Sequence, residues 1–206
     1  MSIYQDRDRK FQEYSEAILK VPALRGPWQQ AYEYIGRAGY KTAPASTRFH
    51  LCVKGGLLIH SVGVCELALC WAGEVPVRYS LETIMATALL HDIGKCGLYE
   101  ESMGLRERYV SSPRFIPGKD TPWNKPYDYQ ETDPAFNVRD LSALLVARWG
   151  FPWEMVQAVL VHDGAYSPQN ADYAGKNSPL AALIMAADTF CAQQLETKAG
   201  VVPLED

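Results

Sequence analysis

Three stretches of this sequence put residues able to hold a metal inside apolar helical runs. His60 stands within GGLLIHSVGVCELAL. His91 and Asp92 close LETIMATALLHD and are followed by Ile-Gly-Lys. Asp188 is embedded in PLAALIMAADTF. A lone carboxylate in such a run forfeits several kcal/mol of hydration, roughly, unless it is paired or bound to a cation. A single residue of this kind has mundane explanations, such as a hydrogen-bonded core histidine or a helix cap. Three separate helices delivering such residues favour a common metal site. Two imidazoles and two carboxylates suit one divalent transition ion, Mn, Fe, Co, Ni or Zn, with no thiolate to select Zn. Four protein ligands on an octahedral ion leave positions for water and a substrate oxygen, so the ion would acidify water and polarise a phosphoryl group. Adjacent residues cannot share a helix face, but at a helix end His91 and Asp92 can both turn toward one ion. Lys95, one turn after His91, could pair with a neighbouring carboxylate or with a substrate phosphate.

The elements that must position these residues read as all-α. Phe11, Tyr14, Ile18 and Leu19 fall at helical spacing and predict a helix over 3–20. Further helices are expected at 27–37, opening at Pro27, and at about 56–71, 80–91, 134–148, 152–163 and 178–195. The chain has 206 residues, 48% of them hydrophobic and 21% charged, which fits one ordinary globular domain. The net charge of -4 argues against a protein that coats nucleic acid. Cys52, Cys65, Cys70, Cys96 and Cys191 include no CxxC pair and are read as reduced, mostly buried thiols. The polar start MSIYQDRDRKFQEY is unlike a signal peptide, and no run nears the roughly 18 apolar residues of a membrane span. A soluble cytoplasmic protein without a membrane partner is expected.

Residues 100–133 lack a helical period, and a loop of that length is often functional. Between 106 and 125 it carries Arg106, Arg108, Arg114, Lys119 and Lys125 against Glu107 and Asp120. Tyr109, Phe115, Trp123, Tyr127 and Tyr129 are interleaved. Such a segment suits a lid, with Arg106, Arg108 and Arg114 binding substrate phosphate and aromatic rings stacking on a base. It equally suits a solvated loop or small hairpin packed by its own aromatics.

The ordered set His60, His91–Asp92 in LLHDIGK, and Asp188 in AADTF resembles the signature of the HD-domain metal-dependent phosphohydrolase superfamily. The upstream APASTRFHLCVKGGLLIHS is similar to a segment of the HD domains of some three-prime exonucleases and conjugative relaxases, and of small stand-alone bacterial and phage HD proteins. The resemblance runs from about Pro44 to Gln194. It implies a helical bundle forming a single HD domain over 1–206, with an N-terminal helical extension at 1–40, an HD core at 41–196 and a loop or lid at 100–133. It implies that His60, His91, Asp92 and Asp188 are metal ligands, with Asp92, Lys95 and His162 serving catalysis. His162 in AVLVHDG would lie beside the metal or substrate phosphate, and His50 at the pocket edge would touch substrate. Where many relatives supply another histidine, this chain has AFNVRDLSALL, with Arg139–Asp140 in its place, so one metal is expected.

The function implied is hydrolysis of a phosphate ester by metal-activated water, the substrate being a small molecule and a nucleotide before a polymer. Two alternatives belong to other classes. One is an HD-type exonuclease or nucleic-acid processing factor. The other is a non-enzymatic, metal-stabilised module that binds a nucleotide or a protein. Association into a homo-oligomer through helical faces is open.

Overall fold

The computed structural model describes residues 2–46, 50–74, 78–96, 137–164 and 177–196, together with the backbone of 100–101, 104–105, 109–111 and 127–129. The described elements are overwhelmingly helical: α1 (Ile3–Leu19), α2 (Pro22–Arg37), α3 (Gly56–Ala72), α4 (Leu81–Leu90), α5 (Val138–Arg148), α6 (Trp153–Val161) and α7 (Pro179–Phe190). Two short antiparallel ribbons fall in the expected loop. Glu100–Glu101 pairs with Gly104–Leu105, and Tyr109–Ser111 pairs with Tyr127–Tyr129 in the register Val110 opposite Asp128. Arg106, Arg108 and Arg114 lie outside the described residues, as do Lys119, Lys125 and Trp123.

Helix α3 is the axis of the arrangement. Its sequence is apolar all round, the pattern of a helix buried on every side, and it packs against α1, α4 and α7. The first helix follows its expected stripe. Ser2 caps it in a reciprocal box with Gln5, and Phe11 and Ile18 are fully buried. The Phe11 ring packs with Trp28, Tyr32 and Tyr40, so α1 and α2 seal one side of the α3–α4 layer. The Tyr40 hydroxyl donates to the Leu89 carbonyl at 2.7 Å, satisfying one of the acceptors left free at the end of α4.

Boundaries differ from expectation in informative places. Helix α2 opens at Pro22, not Pro27. Pro22 already occupies the first-turn position that suits proline. The buried Leu24 gives that first turn a core contact, and the helix continues through Pro27 because Trp28 and Ala31 pack in the core. Helix α4 stops at Leu90 with His91 as its cap residue, and Ile93–Lys95 follow as a 3₁₀ turn. Helix α6 ends at Val161, so His162 likewise sits at a helix end. The α-helical part of the last helix stops at Phe190, and Cys191–Leu195 continue as a π-helical turn. Four of the cysteines are buried and Cys70 is exposed; all five are free thiols. Among the described residues no helix is long and apolar enough to cross a membrane.

Two glycines permit close backbone approaches that frame the site. A Cβ on Gly56 would stand 2.1 Å from the Leu51 carbonyl oxygen, so only glycine lets α3 begin against the backbone of Ala45 and Leu51. A Cβ on Gly94 would stand 2.4 Å from the Val138 carbonyl oxygen, and Gly94 N–H donates to Ser142 Oγ at 2.8 Å. Gly94 therefore lets the turn after His91–Asp92 lie flat on α5. Gly94→Ala is expected to cost about 2 kcal/mol or more through overpacking against backbone, which is a fall of roughly 4–8 °C in Tm for a chain of this size. A calorimetric scan showing an unchanged Tm would contradict that packing.

Candidate metal centre

Helices α3, α4 and α7 cross where their polar side chains meet. His60 comes from the N-terminal half of α3, His91 and Asp92 from the end of α4, and Asp188 from the last turn of α7. All four side chains are buried or nearly so, and the His60 and His91 rings are wholly inaccessible. Their donor atoms converge. His60 Nε2 lies 3.2 Å from His91 Nε2, 3.0 Å from Asp188 Oδ1 and 3.7 Å from Asp92 Oδ2. His91 Nε2 lies 3.3 Å from Asp92 Oδ2 and 3.7 Å from Asp188 Oδ1.

The outer nitrogen of each ring is already engaged. His91 Nδ1 is 2.7 Å from the Ala88 carbonyl oxygen, and His60 Nδ1 is 2.9 Å and 3.1 Å from the two Glu196 oxygens. Each acceptor fixes its ring with Nδ1 as the donor and the Nε2 lone pair turned inward. Two such lone pairs 3.2 Å apart repel each other, so the contact needs a proton or a cation between them. Donors on one transition ion, with bonds of about 2.0–2.2 Å, stand roughly 2.8–3.6 Å apart. Three of the five separations fall in that range and the other two, at 3.7 Å, lie just beyond it, so the donor set fits one divalent cation. The groups His60–His91–Asp92 and His91–His162–Asp188 each bring their ligand atoms within 4.8 Å of one another.

The electrostatics agree. Burial disfavours the His60 cation, but Glu196 and Asp188 outweigh it and hold its pKa up at about 10. Burial opposes the His162 cation too, and is overcome by Asp92 and Asp163, which carry that pKa up to about 9. Asp92 and Asp188 move the other way. Burial would raise both, yet Lys95 and His91 hold Asp92 well below the usual carboxylate range, and His60 and His91 lower Asp188. The site is a buried well of negative potential, and the field that retains protons on the imidazoles also attracts a divalent ion.

The other residues singled out from the sequence fall around this core. His162 Nδ1 is 2.6 Å from the Val159 carbonyl oxygen, leaving Nε2 3.4 Å from Asp92 Oδ1 and 3.3 Å from Asp163 Oδ1. Its ring packs edge-on to His91. Lys95 is drawn back against Asp92 as an ion pair rather than projecting as a solvated helix-end cation. The His50 ring lies 4.8 Å from the His60 ring, and burial, with His60 and Lys95 nearby, pushes its pKa down to about 3. All four histidines of the chain thus gather at one point. Sequence reasoning passed over Glu196, which stands in the polar stretch QQLETK and carries no local mark of burial. Its only sequence signal is that it follows Asp188 by two helical turns. Asp163 is close to half exposed and lies on the open side.

The family model for the HD domain matches residues 57–115, under a third of the chain. His60, His91 and Asp92 fall inside the matched segment, and Asp188 lies outside it. The chain is also similar to the dihydroneopterin 2',3'-cyclic phosphate phosphodiesterase of Methanocaldococcus jannaschii. The two are 30% identical over 139 residues, covering 61% of this chain and 44% of that protein, so the match spans less than half of the relative. No solved structure matches the chain significantly.

Protein purified without added metal is expected to carry about one equivalent of a transition metal, with the content falling sharply in Asp92→Ala. Elemental analysis of the two side by side checks this. Equal content, or none in the wild type after soaking with Mn and Ni, would remove the basis for a shared cation site.

Proposed function

We propose that the protein is a metal-dependent phosphohydrolase of the HD class that cleaves a small phosphate ester, with His60, His91, Asp92 and Asp188 holding one divalent cation. The observation that carries this reading is the inward convergence of two oriented Nε2 atoms and two carboxylates, each carboxylate within 3.7 Å of both nitrogens, with His162 and Lys95 beside Asp92. When bound, such an ion lowers the pKa of water and withdraws charge from a phosphoryl oxygen.

The chain's own residues supply the remainder. His162, tied at Nδ1, has Nε2 as its exchangeable position and can pass a proton between water and the leaving oxygen. Asp92 orients it from 3.4 Å. Lys95 offsets the charge of Asp92 and offers positive charge to an incoming phosphate. Hydrolysis adds water across a phosphorus–oxygen ester bond: a diester gives a monoester and an alcohol, the water's proton ending on the alcohol oxygen. The relative that acts on a 2',3'-cyclic phosphate directs attention to cyclic phosphodiesters of ribose-like side chains. We take these as the leading substrate class, with 41–196 as the core that binds them.

The test is turnover of nucleoside 2',3'-cyclic phosphates, dihydroneopterin 2',3'-cyclic phosphate and nucleoside monophosphates by full-length protein with Mn, Ni or Zn. Release of monoester from a cyclic substrate, lost in Asp92→Ala, supports the reading. His162→Ala is expected to lower kcat about 100- to 10,000-fold while the metal content stays at the wild-type level. A metal-loaded wild type that turns over none of these esters would overturn the enzymatic reading in favour of a binding module.

A further inference from the structure

Glu196 lies eight residues beyond Asp188, yet the two carboxylates grip the same imidazole from opposite nitrogens. Asp188 Oδ1 is 3.0 Å from His60 Nε2, and Glu196 Oε2 is 2.9 Å from His60 Nδ1. On an unbroken α-helix, a residue eight positions on stands about 80° around the axis from the first. The chain does not continue as an α-helix. Cys191–Leu195 form a π-helical turn, closed by Glu196 N–H donating to the Cys191 carbonyl oxygen at 3.1 Å. Closing i to i+5 winds the backbone more slowly than 3.6 residues per turn, which brings Glu196 back toward the Asp188 face. π turns of this kind recur at functional sites.

The Glu196 carboxylate is nearly buried, and burial is outweighed by His60, so it stays ionised below the usual carboxylate pKa. His50 Nε2 is 3.9 Å from Glu196 Oε2, outside hydrogen-bond range, so the short contacts of this carboxylate go to His60. The donors of His50, His60 and Glu196 also lie within 4.8 Å of one another. A cation among them would need the Nδ1 position of His60, which holds the proton shared with Glu196.

We propose that Glu196 is a positioning residue: it holds the Nδ1–H of His60, fixes the ring with Nε2 facing Asp188 and His91, and thereby sets the affinity of the site for a divalent cation. This rests on the reading of the His60–His91–Asp92–Asp188 cluster as a cation site. A carboxylate behind a ligating histidine orients the ring and raises its basicity, and its loss weakens metal binding about 10- to 100-fold.

The experiment compares full-length wild type, Glu196→Ala and Glu196→Gln by equilibrium dialysis against Mn²⁺ and by the imidazole N–H region of the NMR spectrum of the metal-free proteins. The expected result is Mn²⁺ binding about 10- to 100-fold weaker in Glu196→Ala, with Glu196→Gln in between because its amide oxygen still accepts from Nδ1. The slowly exchanging His60 Nδ1–H resonance is expected in the wild type and absent from Glu196→Ala. A merely structural role would lower Tm without this ordering, and if Glu196→Ala does not fold, Glu196→Gln carries the comparison. Equal Mn²⁺ affinity in wild type and variants, or an unaltered Nδ1–H resonance in Glu196→Ala, overturns the proposal alone. No Mn²⁺ uptake by the wild type overturns it together with the cation-site reading.

Discussion

Burying two carboxylates among imidazoles at the crossing of three apolar helices is the constraint on which this architecture turns. Each ionised group taken from water costs several kcal/mol, roughly, and the cost is recovered only when partners are close and well aimed. Asp92 and Asp188 find those partners in His60, His91, His162 and Lys95. The crossing of α3, α4 and α7 is therefore more than a packing solution. Displacing any of these helices by one turn would strand a charge in the core.

The surrounding structure limits that displacement. Tyr40 bonds the end of α4 just before His91, and Gly94 seats the following turn on α5. Helix α1 packs against α3 and α4, and its Phe11 ties it to Trp28 of α2 and to Tyr40. The residues that carry charge thus stand on elements held by hydrogen bonds and close packing, as a preorganised site requires. The ring orientations follow the same logic, since the outer nitrogens of His60, His91 and His162 all face a fixed acceptor.

The chemistry of the site is asymmetric in exposure. His60 and His91 are sealed, whereas Asp163 is close to half exposed and Asp188 keeps a small exposed fraction. Of the clustered groups, His60, His91 and Asp92 fall inside the HD-domain match over 57–115 and Asp188 outside it. The likeness to a cyclic phosphodiesterase extends over less than half of that relative.

Much of this was legible from residue order alone. A histidine or aspartate inside LLIHSV, LLHDIGK or MAADTF is conspicuous because the run leading up to it is apolar, and the helical class follows from the same periodicity. The structure adds caps at Ser2, Ser80 and Ser178, where a hydroxyl accepts from an early backbone N–H. What local sequence could not express was anything that depends on the path of the chain after a helix ends. The start of α2 moved to Pro22 because tertiary burial of Leu24 supports an extra turn ahead of Pro27. Glu196 stands among glutamines, threonine and lysine, and only the slower winding of the π turn carries it beneath His60. Residue type and period determined which groups had to leave water together; the distances and ring orientations that give them a common purpose were decided by how three helices cross, because burial energy depends on neighbours far away in sequence.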